Sequence, residues 1–442
     1  MIRLIIRKEL LDNLLSLKFS LGMGICLLLI GLSCYVSTKD YENRLRDYQS
    51  AIQEFREKPD VITPRIYRKP EMLSIFSHGY ERRLGNMVWI SPSGEVPFRA
   101  TGYTNSPLEE EYRSEFTSVD FAFVVQMALS LLAIFLSYDA ISGERLAGTL
   151  KLCLSNSISR SAMLVGKFIG GVLSLMIALT LSMFLGLLIS LLSPLVVFSK
   201  EEWLRIGVMW LGSALYLSAF FMLGLLVSCR TDHPATVLLV LLLIWTALLV
   251  ILPNVSVVLV DRLIPIPSER QMQGRIAAVN ESFHPQFESL LKKLPSLNRE
   301  IHVKRTELHT RWGQAIWQVK REYLNRLYYQ TGWVSWLNRL TLGGAYRSLM
   351  ESLARTDLSA YRRFMEHTRR YHAEHRRLMK LLWTDRKRYD RERERFLQPF
   401  QPPSVTLSES VRAGMLDLIL LFLFNVLFFM TAYLSFARHQ FS

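Results

Sequence analysis

The residues best suited to chemistry lie in a short charged segment between two strongly apolar stretches. This segment, residues 137–167, combines acidic, basic and glycine residues, namely Gly143, Glu144, Arg145, Gly148, Lys151, Arg160 and Lys167. The two glycines permit turns at a surface. The charges around them favour recognition of a partner protein, because complementary charge fixes the register of docking. The pattern therefore predicts a docking element.

Leucines in the same segment support this interpretation. Leu146, Leu150 and Leu154 recur at every fourth position, so a helix over residues 145–154 would carry them on one face. An apolar stripe of this kind fits a groove on a partner, which is the helix-in-groove mode of recognition. The alternative is a plain loop at a membrane surface with a solvated run of charges.

Motifs for catalysis or nucleotide binding do not occur in the sequence. Gly166-Lys167 is followed by Phe168 and lacks the earlier glycine of a phosphate-binding loop. Metalloprotease helices, paired zinc cysteines and the Gly-x-Ser-x-Gly elbow are also missing. The four cysteines imply no disulfide framework. We therefore expect no catalytic residue, bound cofactor or metal in this chain.

Three histidines and many arginines fall on one predicted helix near the C-terminal third. His372 and His375 share a face with His367 nearby, so a metal site is conceivable, and the alternative is histidines that only line a packing seam. The arginines suggest an anionic partner, either lipid headgroups or an acidic protein, although a solvated and partly ion-paired surface is the simpler alternative. Nucleic acid is not expected.

The elements that must position these residues are membrane spans. Half of the 442 residues are hydrophobic and mean hydropathy is +0.18, which is too apolar for an ordinary soluble protein. Uncharged runs of about 20 residues can cross a bilayer as helices. Six are predicted, at residues 19–37, 121–138, 168–197, 206–228, 235–260 and 415–437. We also expect Asn425, inside the last span, to bridge two helices.

Lysine and arginine near the span ends predict the orientation. They concentrate in the N-terminal lead, in residues 139–167, at Arg230 and at Arg438, so these segments and both termini are expected on the cytoplasmic side. Two large polar segments then lie outside. The second, residues 261–410, has 28 Lys and Arg against 16 Asp and Glu, which accounts for +12 of the net charge of +15.

The predicted fold is an all-α membrane protein with two external insertions. The first insertion should continue the first span as a helix to about Glu57 and include a small hairpin within residues 88–104. The second should be two long antiparallel helices, residues 281–329 and 346–400, with a bent aromatic connection at residues 332–345. An a/d seam is predicted at Leu358, Tyr361, Met365, Thr368, His372, His375, Met379 and Leu382.

Residues 137–167 resemble the cytoplasmic loop of ABC transporter permeases of the type-2 export class. The matching residues are Glu144, Gly148, Thr149, Leu150, the Ser159-Arg160 pair and Lys167. The amphipathic lead, residues 1–18, is similar to the elbow helix of that family, and six spans match its layout. The two insertions resemble the subgroup that includes the permease of the nitrous-oxide-reductase maturation transporter.

The resemblance implies the following organisation. The boundaries are 1–18 for the elbow helix, 19–37 for span one, 38–120 for external domain one, 121–138 for span two, 139–167 for the coupling loop, 168–260 for spans three to five, 261–410 for the helical external domain two, and 411–442 for span six and the tail. Coupling to an ATPase would fall on Glu144, Arg145, Leu146, Gly148, Thr149, Leu150, Lys151, Leu154, Arg160 and Lys167.

The resemblance also implies partners and a location. The expected partners are cytoplasmic ABC ATPase subunits that hold ATP and Mg, a second copy of the chain or a homologous permease, and membrane lipid, with an extracytoplasmic protein left open. The expected location is a bacterial inner membrane. The leading hypothesis is an export permease. The alternatives are a subunit that drives an external partner without moving substrate, and a membrane receptor or anchor that transports nothing.

Overall fold

The computed structural model describes residues 2–91, 95–100, 119–150, 159–292, 299–400 and 405–438. Within these ranges, six helices are long and apolar enough to cross a membrane, which confirms the predicted number. They are Leu17–Glu57, Phe121–Leu146, Arg160–Leu191, Lys200–Arg230, Pro234–Leu263 and Leu407–Ala437. Several of them extend well beyond the predicted apolar limits, because polar residues continue the helices past the apolar runs.

The first part of the chain forms two helices separated by a short turn. Helix α1 (Ile2–Leu14) leads into α2 (Leu17–Glu57), which begins where the Ser16 hydroxyl accepts a hydrogen bond from the Phe19 amide at 3.2 Å. Residues 38–57 contain no glycine or proline, so α2 continues past its apolar part, as predicted. Its polar end therefore projects beyond the bundle.

The next helices complete the bundle up to the second insertion. Helix α3 (residues 121–137) contains the π-helical turn Val125–Leu129, and the short α4 (Ser142–Leu146) follows it. Helices α5 (Arg160–Leu191), α6 (Lys200–Arg230) and α7 (Pro234–Leu263) come next. Span three begins earlier than predicted, because Ser159 caps the start of its helix, and the helix ends at Leu191, before Pro194.

A small antiparallel sheet lies in the first insertion. Strand β1 (Arg65–Tyr67) pairs with β2 (Met87–Trp89), with Ile66 opposite Val88. The sequence predicted a hairpin within residues 88–104. The described part of that stretch instead supplies a single strand, whose partner lies upstream. Pro97, which has no amide hydrogen, disfavours continued strand pairing there.

The second insertion contains more helices than predicted. They are α8 (Glu269–Leu291), α9 (Arg299–Arg339), α10 (Leu342–Ala354), α11 (Leu358–Thr384) and α12 (Arg386–Arg393), and α13 (Leu407–Arg438) returns through the bundle. The predicted bent linker was wrong for residues 332–339, which continue α9. The chain turns only near Thr341, whose hydroxyl caps α10 by accepting from the Gly344 amide.

The predicted seam on α11 is confirmed over most of its length. Tyr361, Met365, Thr368, His372 and His375 are buried. The N-terminal part of α11 packs against the small sheet of the first insertion, where Tyr361 and Met365 share one apolar cluster with Ile66 and Val88. The two insertions therefore form one packed unit.

Helix α10 packs inside the bundle, which corrects the prediction that residues 261–410 lie wholly outside it. Tyr346 stacks on Tyr216 of α6 with ring centroids 4.4 Å apart, and its hydroxyl lies 3.1 Å from that of Ser213. Leu349 fits against Gly212 and Gly414, which leave room for it. Apolar residues at three- and four-residue spacing drive this insertion.

Candidate functional site

A buried lysine connects three elements at the end of the bundle opposite the insertions. Lys167, in the second turn of α5, is only 2% exposed. Its ammonium group lies 2.6 Å from a carboxylate oxygen of Glu9 in α1 and 2.9 Å from one of Glu144 in α4. The more exposed Lys8 also lies 3.5 Å from Glu144. Since a buried charge is costly without partners, this cluster fixes the relative positions of the three helices.

Close packing of α1 on α5 supports the same cluster. A Cβ at Gly166 would lie 2.7 Å from the Ile5 side chain, and one at Gly170 would lie 2.7 Å from Cβ of Glu9. These positions therefore require glycine, since a larger residue would push α1 away. Leu4 and Leu11 of α1, and Leu15 just after it, remain exposed, where lipid would cover them.

Helix α4 is also attached to the end of α6. The Ser228 hydroxyl accepts hydrogen bonds from the amides of Ile141 and Ser142, at 3.1 and 3.0 Å. The Arg145 guanidinium donates to Asp232 at 2.6 Å and to the Cys229 carbonyl at 3.1 Å. These contacts hold α4 firmly against one of the best-buried spans.

The predicted continuous helix over residues 145–154 was wrong. Helix α4 ends at Leu146, and Gly148 follows with a left-handed φ of +73°. The Thr149 hydroxyl then donates to the Glu144 carbonyl at 3.2 Å, which satisfies a group left free at the helix end. A left-handed residue changes the direction of the chain, so the two sides of Gly148 cannot belong to one helix.

Leu146 and Leu150 consequently do not lie on one apolar stripe. Leu146 is 65% exposed, whereas Leu150 is 1% exposed and belongs to the main apolar core. Lys151 and Leu154 lie outside the described residues. Of the three leucines, Leu146 is therefore the one that the described structure offers to a partner.

The structure brings only part of the predicted set together. Glu144 and Lys167 meet directly, while Arg160 donates to the Ala437 carbonyl near the end of α13 at 2.7 Å. Sequence reasoning missed Glu9 and Asp232 as partners. One signal was available, because Lys167 directly precedes a predicted span, where a lysine needs an acidic partner, and Glu9 lies on the amphipathic lead.

Polar residues inside the bundle mostly serve packing. Asn425 accepts from the Ser218 hydroxyl at 2.8 Å and donates to the Leu215 carbonyl at 2.9 Å, which confirms that it bridges two helices. Likewise, the Tyr216 hydroxyl donates to the Gln126 carbonyl at 2.8 Å. These contacts satisfy polar groups that lipid could not.

His372 and His375 on α11 are buried by packing. A ring nitrogen of His375 lies 2.7 Å from the Val61 carbonyl oxygen. Burial, with the nearby Arg376, lowers the pKa of His372 to about 3. Within the described ranges, no group of three or more His, Cys, Asp or Glu side chains is placed to hold a metal ion.

Comparison with known proteins bears on the whole layout. Residues 3–441 match the family model described as ABC-2 family transporter protein. No match was found among curated proteins. The match covers all six spans, both insertions and the Lys167 cluster. The chain therefore belongs to the ABC-2 transporter family, as a multi-pass membrane permease that works with ABC ATPase subunits.

Proposed function

We propose that this chain couples ATP hydrolysis in its partner ATPases to movement of the membrane bundle, and that the bundle exports a substrate. The observation that carries the proposal is the Lys167 cluster with the exposed Leu146 beside it. An ATPase bound to α4 would displace α1 and α5 through the contacts of Glu9 and Glu144 with Lys167. It would displace α6 through the hydrogen bonds to Ser228. A rigid contact of this kind transmits displacement without a flexible link.

The orientation in the membrane follows from the charge distribution and from the even number of spans, which puts both termini on the same side. We place the α1–α4 end on the cytoplasmic side of a bacterial inner membrane, because lysine and arginine concentrate there. Arg160 contacts Ala437, so the C-terminal helix ends on the same side as α1. A second copy of the chain, or a related permease, would complete a pair that faces two ATPases.

A second function is favoured by the attachment of the external domain. Arg205 is fully buried and donates to the carbonyls of Leu353 and Val405, and to the Ser410 hydroxyl. Together with α10, this links the insertions directly to α6. In this alternative, the ATP-driven movement of the bundle would be transmitted through the insertions to an external partner, and no substrate would cross the membrane. Substrate-dependent stimulation of the ATPase favours export, whereas stimulation by an external protein favours this alternative.

The experiment that tests coupling places a charge at the exposed leucine. Leu146→Asp should abolish co-purification with the partner ATPase and reduce its permease-dependent hydrolysis to the basal rate, because apolar contact is replaced by a desolvated carboxylate. Ile62→Asp is the matched control, since Ile62 is 57% exposed but lies in the first external insertion. Full ATPase recovery and unchanged hydrolysis with Leu146→Asp would refute the proposal.

A further inference from the structure

A large cavity lies where the bundle meets the external insertions. Its volume is about 950 Å³, within the range of ligand pockets. Its lining includes the external part of α2 at Tyr41 and Leu45, residues 68–72, the loop before α6 at Leu195 and Val197, the start of α11 at Arg363, and the chain at Val405. The cavity is thus distant from the Lys167 cluster, and it does not depend on the proposed function.

One wall of the cavity belongs to the membrane surface. Val197 is 73% exposed and the preceding Leu192 is 77% exposed, at the end of the third membrane helix. In a membrane protein such side chains contact the acyl region. Ser199 then caps α6, whose first turn is polar. The cavity therefore opens at the boundary between hydrocarbon and water.

The lining also includes two cations, Arg363 and Lys69, that have no acidic partner among the described residues. Arg363 donates from one guanidinium nitrogen to the Ser359 hydroxyl at 3.0 Å, while its buried Nε has no hydrogen-bond partner among the described residues. Phe364 and His367 also line the cavity, as does the exposed Lys69, which has no ion pair within the described ranges. Since a buried donor without a partner is costly, the Nε of Arg363 favours an anion, and Lys69 adds a second positive charge to the lining.

Other charged groups in the lining already have partners, including Arg68, which donates to the Arg355 carbonyl at 3.0 Å. Arg355 lies 3.0 Å from Glu71 and 3.8 Å from Glu202. Glu409 accepts a hydrogen bond from the Thr406 amide at 3.1 Å at the start of α13. Arg363 and Lys69 therefore remain as lining cations without an acidic partner among the described residues.

We propose that this cavity binds an anionic amphiphile from the adjacent leaflet. Its phosphate group would contact Arg363 and Lys69, and its acyl chains would leave along Leu195 and Val197. The planar guanidinium of Arg363 suits a phosphate, because it donates two parallel hydrogen bonds. The mixed lining explains the ligand class: a free anion would leave the apolar wall unused, and an uncharged lipid would leave Arg363 unpaired.

Binding to the purified, delipidated full chain tests this assignment. The probes are dihexanoyl phosphatidylglycerol, glycerol 3-phosphate as the headgroup without chains, and dihexanoylglycerol as the chains without phosphate. Native mass spectrometry or calorimetry should detect tight binding of the first alone. Arg363→Gln should weaken that binding at least tenfold, and Arg363→Lys by less. Arg370→Gln, on the same helix but outside this cavity, should change it by less than twofold.

Each other outcome counts against the assignment. Equal binding of glycerol 3-phosphate would identify a site for a free anion and overturn the amphiphile. Equal affinity of the wild type and Arg363→Gln would overturn the cavity as the site. Lys69→Gln gives an independent second loss if Arg363→Gln folds poorly, which circular dichroism and gel filtration would reveal. Undiminished binding by Lys69→Gln and Arg363→Lys together would equally reject it.

Discussion

At the scale of single residues, the buried Lys167 is the most demanding feature of the molecule. One ammonium group faces two carboxylates within 3 Å, and both belong to other helices. Removing one partner from such a group is far costlier than replacing the whole group with apolar residues. The Lys167 cluster therefore acts mainly by fixing the positions of α1 and α4 relative to α5.

Replacing Lys167 tests how much the cluster holds. Lys167→Gln leaves Glu9 and Glu144 close together without a counter-charge, so we expect a loss of about 3 to 5 kcal/mol in the free energy of unfolding. Thermal or denaturant unfolding in detergent measures it. Lys8→Gln is the control, because Lys8 is 59% exposed and its pair should contribute about 0 to 1 kcal/mol. Equal effects of the two variants would contradict the account.

A buried carboxyl in the first insertion predicts a pH dependence. Burial raises the pKa of Glu71 to about 7, although Arg355 and Arg68 act in the opposite direction. A carboxyl with a raised pKa binds a proton more tightly when folded. Its contribution to stability is therefore present below 4.5, the pKa of an ordinary exposed glutamate, and is lost as pH rises toward 7.

Glu71→Gln should flatten that part of the pH profile. We expect the variant to gain on the order of 1 to 2 kcal/mol over the wild type at pH 8, and little at pH 4.5, when unfolding is followed by intrinsic fluorescence. The exposed Glu57 provides the control through Glu57→Gln, which should leave the profile unchanged. A Glu71→Gln profile parallel to that of the wild type would show that Glu71 does not titrate in this range.

At the scale of elements, the sequence predicted which segments are helical, but it did not predict where some helices break or how they pack against one another. The continuation of α2 and the seam of α11 followed from the absence of helix breakers and from spacing. The break at Gly148 was missed because leucine spacing alone cannot reveal a left-handed residue. The insertion of α10 was missed because residues 342–354 are too short to span a bilayer, and only their packing shows where they lie.

The contact between α1 and α5 gives a prediction at this scale. Gly170→Val places a side chain 2.7 Å from Cβ of Glu9 and 3.1 Å from the Ile6 carbonyl oxygen. We expect a loss of about 1 to 3 kcal/mol in stability, with α1 becoming accessible to protease, because the helix must move outward. Gly24→Val has open space around it and is the control. A protease-resistant α1 in Gly170→Val would contradict this packing.

At the scale of the whole molecule, α6 joins the two ends. Near its start Arg205 contacts α10 and α13, and near its end Ser228 binds the first turn of α4. Since a helix is stiff along its axis, the proposed coupling would carry a displacement of α4 to α6 and, through it, to the insertions. The family and six spans could be predicted from sequence, but this mechanical continuity rests on long-range contacts that no local pattern encodes.

The most direct test of this account is a photo-crosslink from position 146. A photoreactive amino acid replaces Leu146 in the complete complex with its partner ATPase, and the adducts are identified by mass spectrometry. The account predicts a nucleotide-sensitive adduct with the ATPase at position 146 and none when the probe replaces Ile62. Adducts at position 146 with lipid or this chain alone, in a complex that still hydrolyses ATP, would contradict the claim that α4 is where the ATPase binds.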